Sequence, residues 1–294
     1  MKEFRGKVSV VTGAASGIGF ALAERFANEG MAVVLADIES APLEEAADRL
    51  RSKGTEVLAV LTDVSDASQV EDLAQKSLSR FGAVHVVCNN AGVSGSGGGQ
   101  VWEIPAKEWE WVLGVNLWGV VNGLRSFLPR LLEVGEGHIV NTASMAGLRA
   151  LTIAPPYTVS KFGVVALSEC LYYQLQTMGS PLGVSVLCPG WVRTGIGRSE
   201  RNRPVDLPEG PITETAQRLH RGVERVLAAG TNPADVAARA VTAIREQQFY
   251  VLPQDTEDWL APVRARSQAI VERRNPTPVA VPGTDIIMAS LAEP

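Results

Sequence analysis

The sequence predicts an α/β fold, a doubly wound parallel sheet covered by helices on both faces. Three features point there. Strand-like and helix-like segments alternate along most of the 294 residues. The strand-like segments are short, unbroken apolar runs, as expected of strands buried on both faces. The first of them runs through a glycine-rich turn straight into a helix, the opening of a right-handed βαβ crossover.

The elements follow in order. "VSVVT" (8–12) is apolar and β-branched, and the helix after it, to about Gly30, carries Ile18, Leu22 and Phe26 on one face. "AVVLAD" (32–37) is the second strand, followed by an Ala-, Glu- and Leu-rich helix to about Lys53. "EVLAVLTD" (56–63) is the third. "DASQVEDLAQKSLSRFG" starts on an Asp cap and ends on a Gly stop. "VHVVCNN" (84–90), "HIVNTAS" (138–144), "VSVLCP" (184–189) and "QFYVLP" (248–253) complete a sheet of about seven strands. A long helix is expected from about Pro105 to Glu133, and another carries Tyr157 to about Met178.

No internal repeat or linker interrupts the chain before residue 253, so residues 1–253 are expected to form one domain. Two stretches break the regularity, the glycine-rich "VSGSGGGQ" (93–100) and a long insertion over 191–231. Both fall at the carboxyl edge of the sheet, where doubly wound folds bind ligands, and the insertion is long enough to act as a lid. Residues 254–294 extend past the last strand. Their Pro-rich part, "RNPTPVAVPGTD" (274–285), reads as a loose tail or one that crosses to a neighbouring subunit.

Composition narrows the function classes. With 27 basic against 32 acidic residues and a net charge of -5, no Lys/Arg block stands out, which argues against a nucleic-acid partner. The N-terminus has no apolar segment before a small-residue cleavage site, and no run of about 18 apolar residues exists, so neither a signal peptide nor a membrane span is expected. The plain expectation is a mildly acidic, soluble, cytoplasmic protein. Cys88, Cys170 and Cys188 lie far apart and read as reduced core residues. His85, His138 and His220 show no ligand spacing, so no metal is expected.

"VVTGAASGIGFALAERF" places Gly13, Gly17 and Gly19 between strand and helix. Glycines there let the backbone turn tightly and approach a pyrophosphate, which the positive end of the helix attracts. Asp37, at the end of the second strand, can accept hydrogen bonds from both hydroxyls of an adenosine ribose. It would also repel a 2′-phosphate, by roughly 4 kcal/mol at 4 Å and an effective dielectric of 20. No Arg or Lys at 14, 15, 16 or 38 offsets that repulsion, so NAD is favoured over NADP. Asp63 can accept from an adenine amino group or cap the helix that "DVSD" opens. Asn89, in "NNAG" (89–92), can sit over the adenosine ribose or close an Asx turn.

The chemistry centres on Ser144, Tyr157 and Lys161 in "NTASMAGLRALTIAPPYTVSKFG" (141–163). Tyr157 and Lys161 are i and i+4 on one helix and share a face. Free tyrosine has a pKa of ~10, and bringing it toward 7 takes roughly 4 kcal/mol. An adjacent ammonium and an oxidised nicotinamide both favour the phenolate. Tyr157 can then exchange a hydroxyl proton while hydride leaves or joins the same carbon, and Ser144 can hold the substrate oxygen. Asn116, polar among apolar neighbours in "VLGVNLWG", needs a partner. It is either a satisfied core amide or the holder of a water bonded to Lys161.

This combination resembles the short-chain dehydrogenase/reductase family over roughly residues 5–252. The resemblance rests on "TGAASGIG" (12–19), Asp37, Asp63, "NNAG", Asn116, Ser144, "YTVSK" (157–161) and "PGWVRT" (189–194). It implies a single-domain Rossmann-type fold with a seven-stranded parallel sheet and an Asn116–Ser144–Tyr157–Lys161 tetrad. The activity it implies is NAD(P)-dependent interconversion of a secondary alcohol and a ketone. By the same resemblance Ser16, Ile18, Val64, Ala91 and Gly92 join Gly13, Gly17, Gly19, Asp37, Asp63 and Asn89 on the cofactor. Tyr157 and Lys161 meet its nicotinamide end, and Pro189, Gly190, Val192 and Thr194 flank the carboxamide. The lid and the segment ending in "IREQQFYVLP" are most similar to bacterial members of about 290 to 300 residues, some of which oxidise aryl benzylic alcohols.

Further expectations concern substrate and assembly. The lid arginines Arg193, Arg198, Arg201 and Arg203 form either a clamp for an anion or a solvated loop. Trp191, Trp259 and Met145 either line an apolar pocket or pack in the core. The pocket reading favours a bulky alcohol or ketone. Trp111 and Trp118, on one helical stripe with Val115 and Asn122, are either core or a subunit interface, and a homodimer or homotetramer is expected. Alternatives to an NAD enzyme are an NADP-linked ketoreductase and a silent nucleotide-binding sensor.

Overall fold

The structure, a computed structural model, describes residues 1–95, 100–205, 207, 214–253 and 256–292. Of the stretch from Ser94 to Gly99, expected near the substrate mouth, residues 96–99 lie outside the described residues, as does part of the lid. The strands are β1 (Val8–Thr12), β2 (Ala32–Asp37), β3 (Val57–Leu61), β4 (Val86–Asn89), β5 (His138–Thr142), β6 (Gly183–Leu187) and β7 (Tyr250–Val251). They form one parallel sheet in the order β3-β2-β1-β4-β5-β6-β7. Val10 is in register with Val34 of β2 on one side and Val87 of β4 on the other. The chain winds outward from β1 to β3 and then returns to β4. The crevice above β1 and β4 is therefore the switch point at which such sheets bind ligands.

β1 and β5 are buried at every position, with Val8, Val10, Val11, Ile139 and Val140 as their apolar content and Ser9, Thr12, His138, Asn141 and Thr142 as buried polar residues. One face of the sheet is covered by α1 (Gly17–Asn28), α2 (Ser40–Arg51) and α8 (Pro233–Glu246), through Leu22, Phe26, Leu43, Leu50 and Ile244. The other is covered by α3 (Ala67–Phe81), α5 (Gly119–Val134) and α6 (Pro155–Thr177), through Leu73, Phe127, Leu131 and Leu175. The expected stops and starts are in place. The Asp66 carboxylate accepts from the Ser68 and Gln69 amides at 2.8 and 3.4 Å, and α3 ends at Gly82 with φ 78.

The helix expected over Pro105–Glu133 is not continuous. α4 (Ala106–Leu113) and α5 are joined by a π turn, Gly114–Trp118. One extra residue in a helical turn rotates everything downstream by roughly 100°. The stripe expected to join Trp111 to Trp118 is broken accordingly. Trp111 is 8% exposed, Trp118 is 55% exposed, and Asn122 is buried, donating to Val64 O at 2.9 Å.

The insertion carries a helix of its own, α7 (Glu214–Ala228). Its base is closed by two main-chain bonds, Thr231 N to Trp191 O and Arg193 N to Thr231 O, both 3.0 Å. The segment beyond β7 forms α9 (Thr256–Val271) and α10 (Thr284–Ala292). Its prolines predict a loose end or one reaching a neighbour. Instead α10 packs along α7, Arg225 donates to Ser290 Oγ at 3.2 Å, and the Trp191 indole donates to Pro282 O at 2.7 Å.

His138, at the start of β5, is fully buried. Ser185 Oγ donates to Gln248 O at 2.6 Å, so the 2.8 Å contact with His138 Nε2 is a bond donated by the ring. Nδ1 is then a bare acceptor without a partner. Burial pushes this histidine down from 6.5 to about 3. A histidine depressed in the fold takes up its proton more readily in the unfolded chain. Stability is therefore retained above pH 6.5 and lost as pH falls below it, by about 1.4 kcal/mol per pH unit until the folded value is reached. Denaturant unfolding at pH 7 and pH 5 should show this loss in the parent and a shallower one in His138→Gln. Equal losses would mean that other groups set the acid limit.

Candidate active site

A cavity of about 610 Å³ opens along the carboxyl edge of β1 to β6. Its cradle is built by the turn after β1. At Gly13, with φ +65, an added Cβ would lie 2.8 Å from Ala91 Cα, and at Gly19 it would lie 2.0 Å from Gly13 O. Neither position has room for a side chain, because the turn packs closely on itself and on the loop after β4. Ser16 occupies the N-cap of α1 without using its side chain as a cap, and the first turn holds no acidic residue. The first-turn amides thus lack a side-chain acceptor and face an anion site.

Asp37 closes the far end. Its Oδ2 accepts from Ala15 N at 3.0 Å and its Oδ1 from Glu39 N at 3.1 Å. Each oxygen keeps a further lone pair for the cleft, a fit to the paired hydroxyls of a ribose. Burial raises this carboxyl, and the two amides oppose the rise. Asp63 lines the same cleft and accepts from Ser65 N and Oγ at 2.9 and 2.7 Å, closing a turn ahead of α3, whose cap is Asp66 and not Asp63.

The reactive end is held by β5 and α6. Ser144 caps a short 3₁₀ turn, accepting from Ala146 N at 3.1 Å. Tyr157 and Lys161 share one face of α6. The Lys161 Nζ lies 5.6 Å from the centre of the Tyr157 ring, is 2% exposed as a residue, and donates to Thr142 O at 2.9 Å. Burial lowers its pKa to about 8. The Tyr157 phenol is pushed up by burial, with the Ser144 hydroxyl bond acting against it. The sequence reading has Lys161 lowering this phenol. Burial is instead the largest influence on it, and Ser144 rather than Lys161 is the group that acts to lower it.

Gly13, Ser16, Gly17, Ile18, Gly19, Asp37, Asp63, Val64, Ala91, Gly92, Ser144, Tyr157, Lys161, Pro189, Gly190, Val192 and Thr194 all line this one cavity. Two expected residues do not. The Asn89 side chain lies inside the sheet, 4% exposed, donating to Asn141 Oδ1 at 2.9 Å across the β4–β5 pair. Its neighbour Asn90 lines the cleft and fixes the loop, bonding Thr12 Oγ1 and O at 2.9 and 3.0 Å. Asn116, in the π turn, is fully buried and clamps Val93. Its Oδ1 accepts from Val93 N at 2.8 Å, and its Nδ2 donates to Val93 O and Ser160 Oγ at 2.9 and 3.0 Å. An added Cβ at Gly92 would stand 3.2 Å from Asn116 Oδ1 and 3.5 Å from Lys161 Nζ, so this small residue keeps the space between them clear.

Trp191, Trp259 and Met145 all line the cavity. The lid arginines do not form a clamp. Arg193 and Arg198 are outside the lining. Arg201 grips both oxygens of Glu39 at 2.9 Å, and Arg203 pairs with Glu108 at 3.0 Å and with Glu200. Reasoning from sequence missed Glu39, Asn90, His220 and Arg149 as lining residues. The last had a signal: it is the sole charge between Ser144 and Lys161.

A glycine cradle at a helix N-terminus, a carboxylate at the end of β2 and a Ser–Tyr–Lys set at β5 and α6 define a dinucleotide-dependent oxidoreductase site. The short chain dehydrogenase model matches residues 7–204, and the chain belongs to that family. A short-chain dehydrogenase/reductase from Burkholderia phymatum, solved in complex with NAD, is 45% identical and superposes with a TM-score of 0.90 over 96% of this chain and 100% of its own. The 1-deoxy-11-beta-hydroxypentalenate dehydrogenase of Streptomyces avermitilis is 44% identical over 65% of this chain and 70% of its own. The CLA biosynthesis dehydrogenase/reductase of Lactiplantibacillus plantarum is 33% identical over 86% and 89%.

Replacing Asn116 by Ala would strand the buried Val93 amide and carbonyl. The expected loss is about 1–3 kcal/mol of stability, read by denaturant unfolding. A variant as stable as the parent would remove Asn116 from its role as the clamp of this loop.

Proposed function

We propose that the chain is an NAD-preferring dehydrogenase that interconverts bulky, apolar or aromatic secondary alcohols and their ketones. The observation that carries this reading is the placing of the Ser144 and Tyr157 hydroxyls and the buried Lys161 amine in the same cleft as the open α1 N-terminus. When bound, a nicotinamide dinucleotide supplies the hydride acceptor or donor and, in its oxidised form, a positive charge. Gly13, Gly17 and Gly19 with the α1 amides would hold its pyrophosphate, Asp37 its adenosine ribose, and Lys161 its second ribose.

Ser144 orients the substrate oxygen, and Tyr157 takes the hydroxyl proton or returns it in the reverse direction. A phenol raised by burial is a strong enough base once ionised, and a cation in the cleft brings it toward neutrality. Asn116 acts through Val93 and Ser160, as a positioning residue. Trp191, Trp259 and Met145 in the wall support an apolar substrate. Exclusion of a 2′-phosphate is supported by Asp37 and by the state of Arg201. That guanidinium has its donors engaged by Glu39, Gly195 O and Arg198 O, and so is not free to greet a phosphate. Exposed Trp118, Val159 and Tyr173 on the α5–α6 side support a homo-oligomer. Among the described residues no helix is long and apolar enough to cross a membrane.

The direct test is NADH absorbance with a panel of secondary alcohols. Turnover is expected, and NAD binding without turnover of any alcohol or ketone would favour a sensor instead. Tyr157→Phe should cut turnover by orders of magnitude with NAD affinity nearly intact. A variant keeping more than about a tenth of the parent rate would place the proton elsewhere. Asp37→Ala should relax the preference for NADH over NADPH. Parent protein that binds NADPH as well as NADH would overturn the NAD reading.

A further inference from the structure

Eight charged or titratable side chains of Asp, Glu, Lys, Arg or His type line the cleft, and their distribution is uneven. The carboxylates, Asp37, Glu39 and Asp63, follow β2 and β3. Arg149 follows β5, three strands away from β2, or roughly 14 Å at ~4.8 Å per strand. The remaining basic side chains each have a partner: Arg201 with Glu39, Arg203 with Glu108, His220 with Glu224 at 3.7 Å, and Lys161 with Thr142 O. Among the described residues Arg149 alone of this lining set makes no hydrogen bond and no ion pair. Its Nε is shut off from solvent without an acceptor. The wall that carries it continues through Leu151, Ile153 and Ala154, with no acid in it. Arg149 as a residue is half-buried, and its guanidinium stands in this apolar wall without an anion beside it. Burial also lowers the pKa of this group, with no carboxylate acting to raise it.

We propose that Arg149 anchors a carboxylate of the substrate, so that the enzyme's substrates are apolar hydroxy acids and the corresponding oxo acids. This deepens the dehydrogenase reading above and rests on it for the reaction. The carboxylate is a handle and leaves the reaction unchanged. The carbinol carbon loses a hydride to the oxidised coenzyme, its hydroxyl loses a proton to Tyr157, and a C=O bond forms. Guanidinium donors suit a carboxylate in a bidentate fork, which also fixes the angle at which the rest of the molecule enters the apolar wall.

The test separates anchor from reaction. Decanoate and methyl decanoate are titrated into the NADH-bound protein and followed by the fluorescence of Trp191 and Trp259 in the cleft wall. The parent should bind the acid about tenfold or more tighter than the ester. Arg149→Met should bind the two alike, at the parent's affinity for the ester, and Arg149→Lys should keep part of the preference. Arg149→Met should melt at or above the parent temperature, because it removes a charge without a partner. A parent indifferent to acid and ester, a preference that survives in Arg149→Met, or a marked fall in its melting temperature would each overturn the proposal. Failure of the dehydrogenase reading looks different: discrimination of acid from ester would stand, and no alcohol, charged or neutral, would give NADH.

Discussion

An ammonium is buried beneath the floor of the cleft, and much of the local architecture serves to hold it there. Lys161 is 2% exposed and has the Thr142 carbonyl, the last of β5, as its protein acceptor. Placing α6 close enough to β5 for that bond requires the 3₁₀ turn after Ser144 to lie flat against the helix. It does so at Gly147, where a Cβ would come within 2.5 Å of Lys161 O. The same turn presents the Ser144 hydroxyl to Tyr157. One desolvated cation therefore ties together strand, turn and helix, and it poises an amine near pH 8 in a site where most lysines would be fully charged.

The second element of that geometry is the π turn. A regular helix through 114–118 would carry Asn116 past the loop that follows β4. The extra residue turns the amide inward, where it holds both main-chain groups of Val93 and meets Ser160 on α6. The β4 loop, the π turn and α6 are thus joined through one side chain, and the wall between the two ends of the cleft becomes a single piece.

How much of this was legible depended on what kind of signal each feature leaves. The sheet was legible because strands buried on both faces are rich in apolar, β-branched residues. The cradle and the Tyr157–Lys161 pair were legible because each depends on intervals within one turn or one helix. The π turn was not, since its cause is a partner, Val93, distant in sequence. Asn89 and Asn90 are chemically the same, and only their phase on β4 sends one inward and the other to the cleft. The lone charge of Arg149 in an apolar stretch was visible, but its lack of a partner is a property of three dimensions. The lid arginines show the reverse case: four cations that suggest a clamp, two of them engaged by Glu39, Glu108 and Glu200 once folded. α10 was missed because nine residues carry little periodicity, although Pro282 stands two positions ahead of it.

The bond from the Trp191 indole to Pro282 joins the rim of the cleft to the far end of the chain. Trp191 stands in the cavity wall, one residue past Gly190, while α10 lies along the outside of α7. Pro282 and α10, outside the cavity lining, thus brace the rim from behind. Drift in that segment would reshape the rim while leaving Ser144, Tyr157 and Lys161 where they stand.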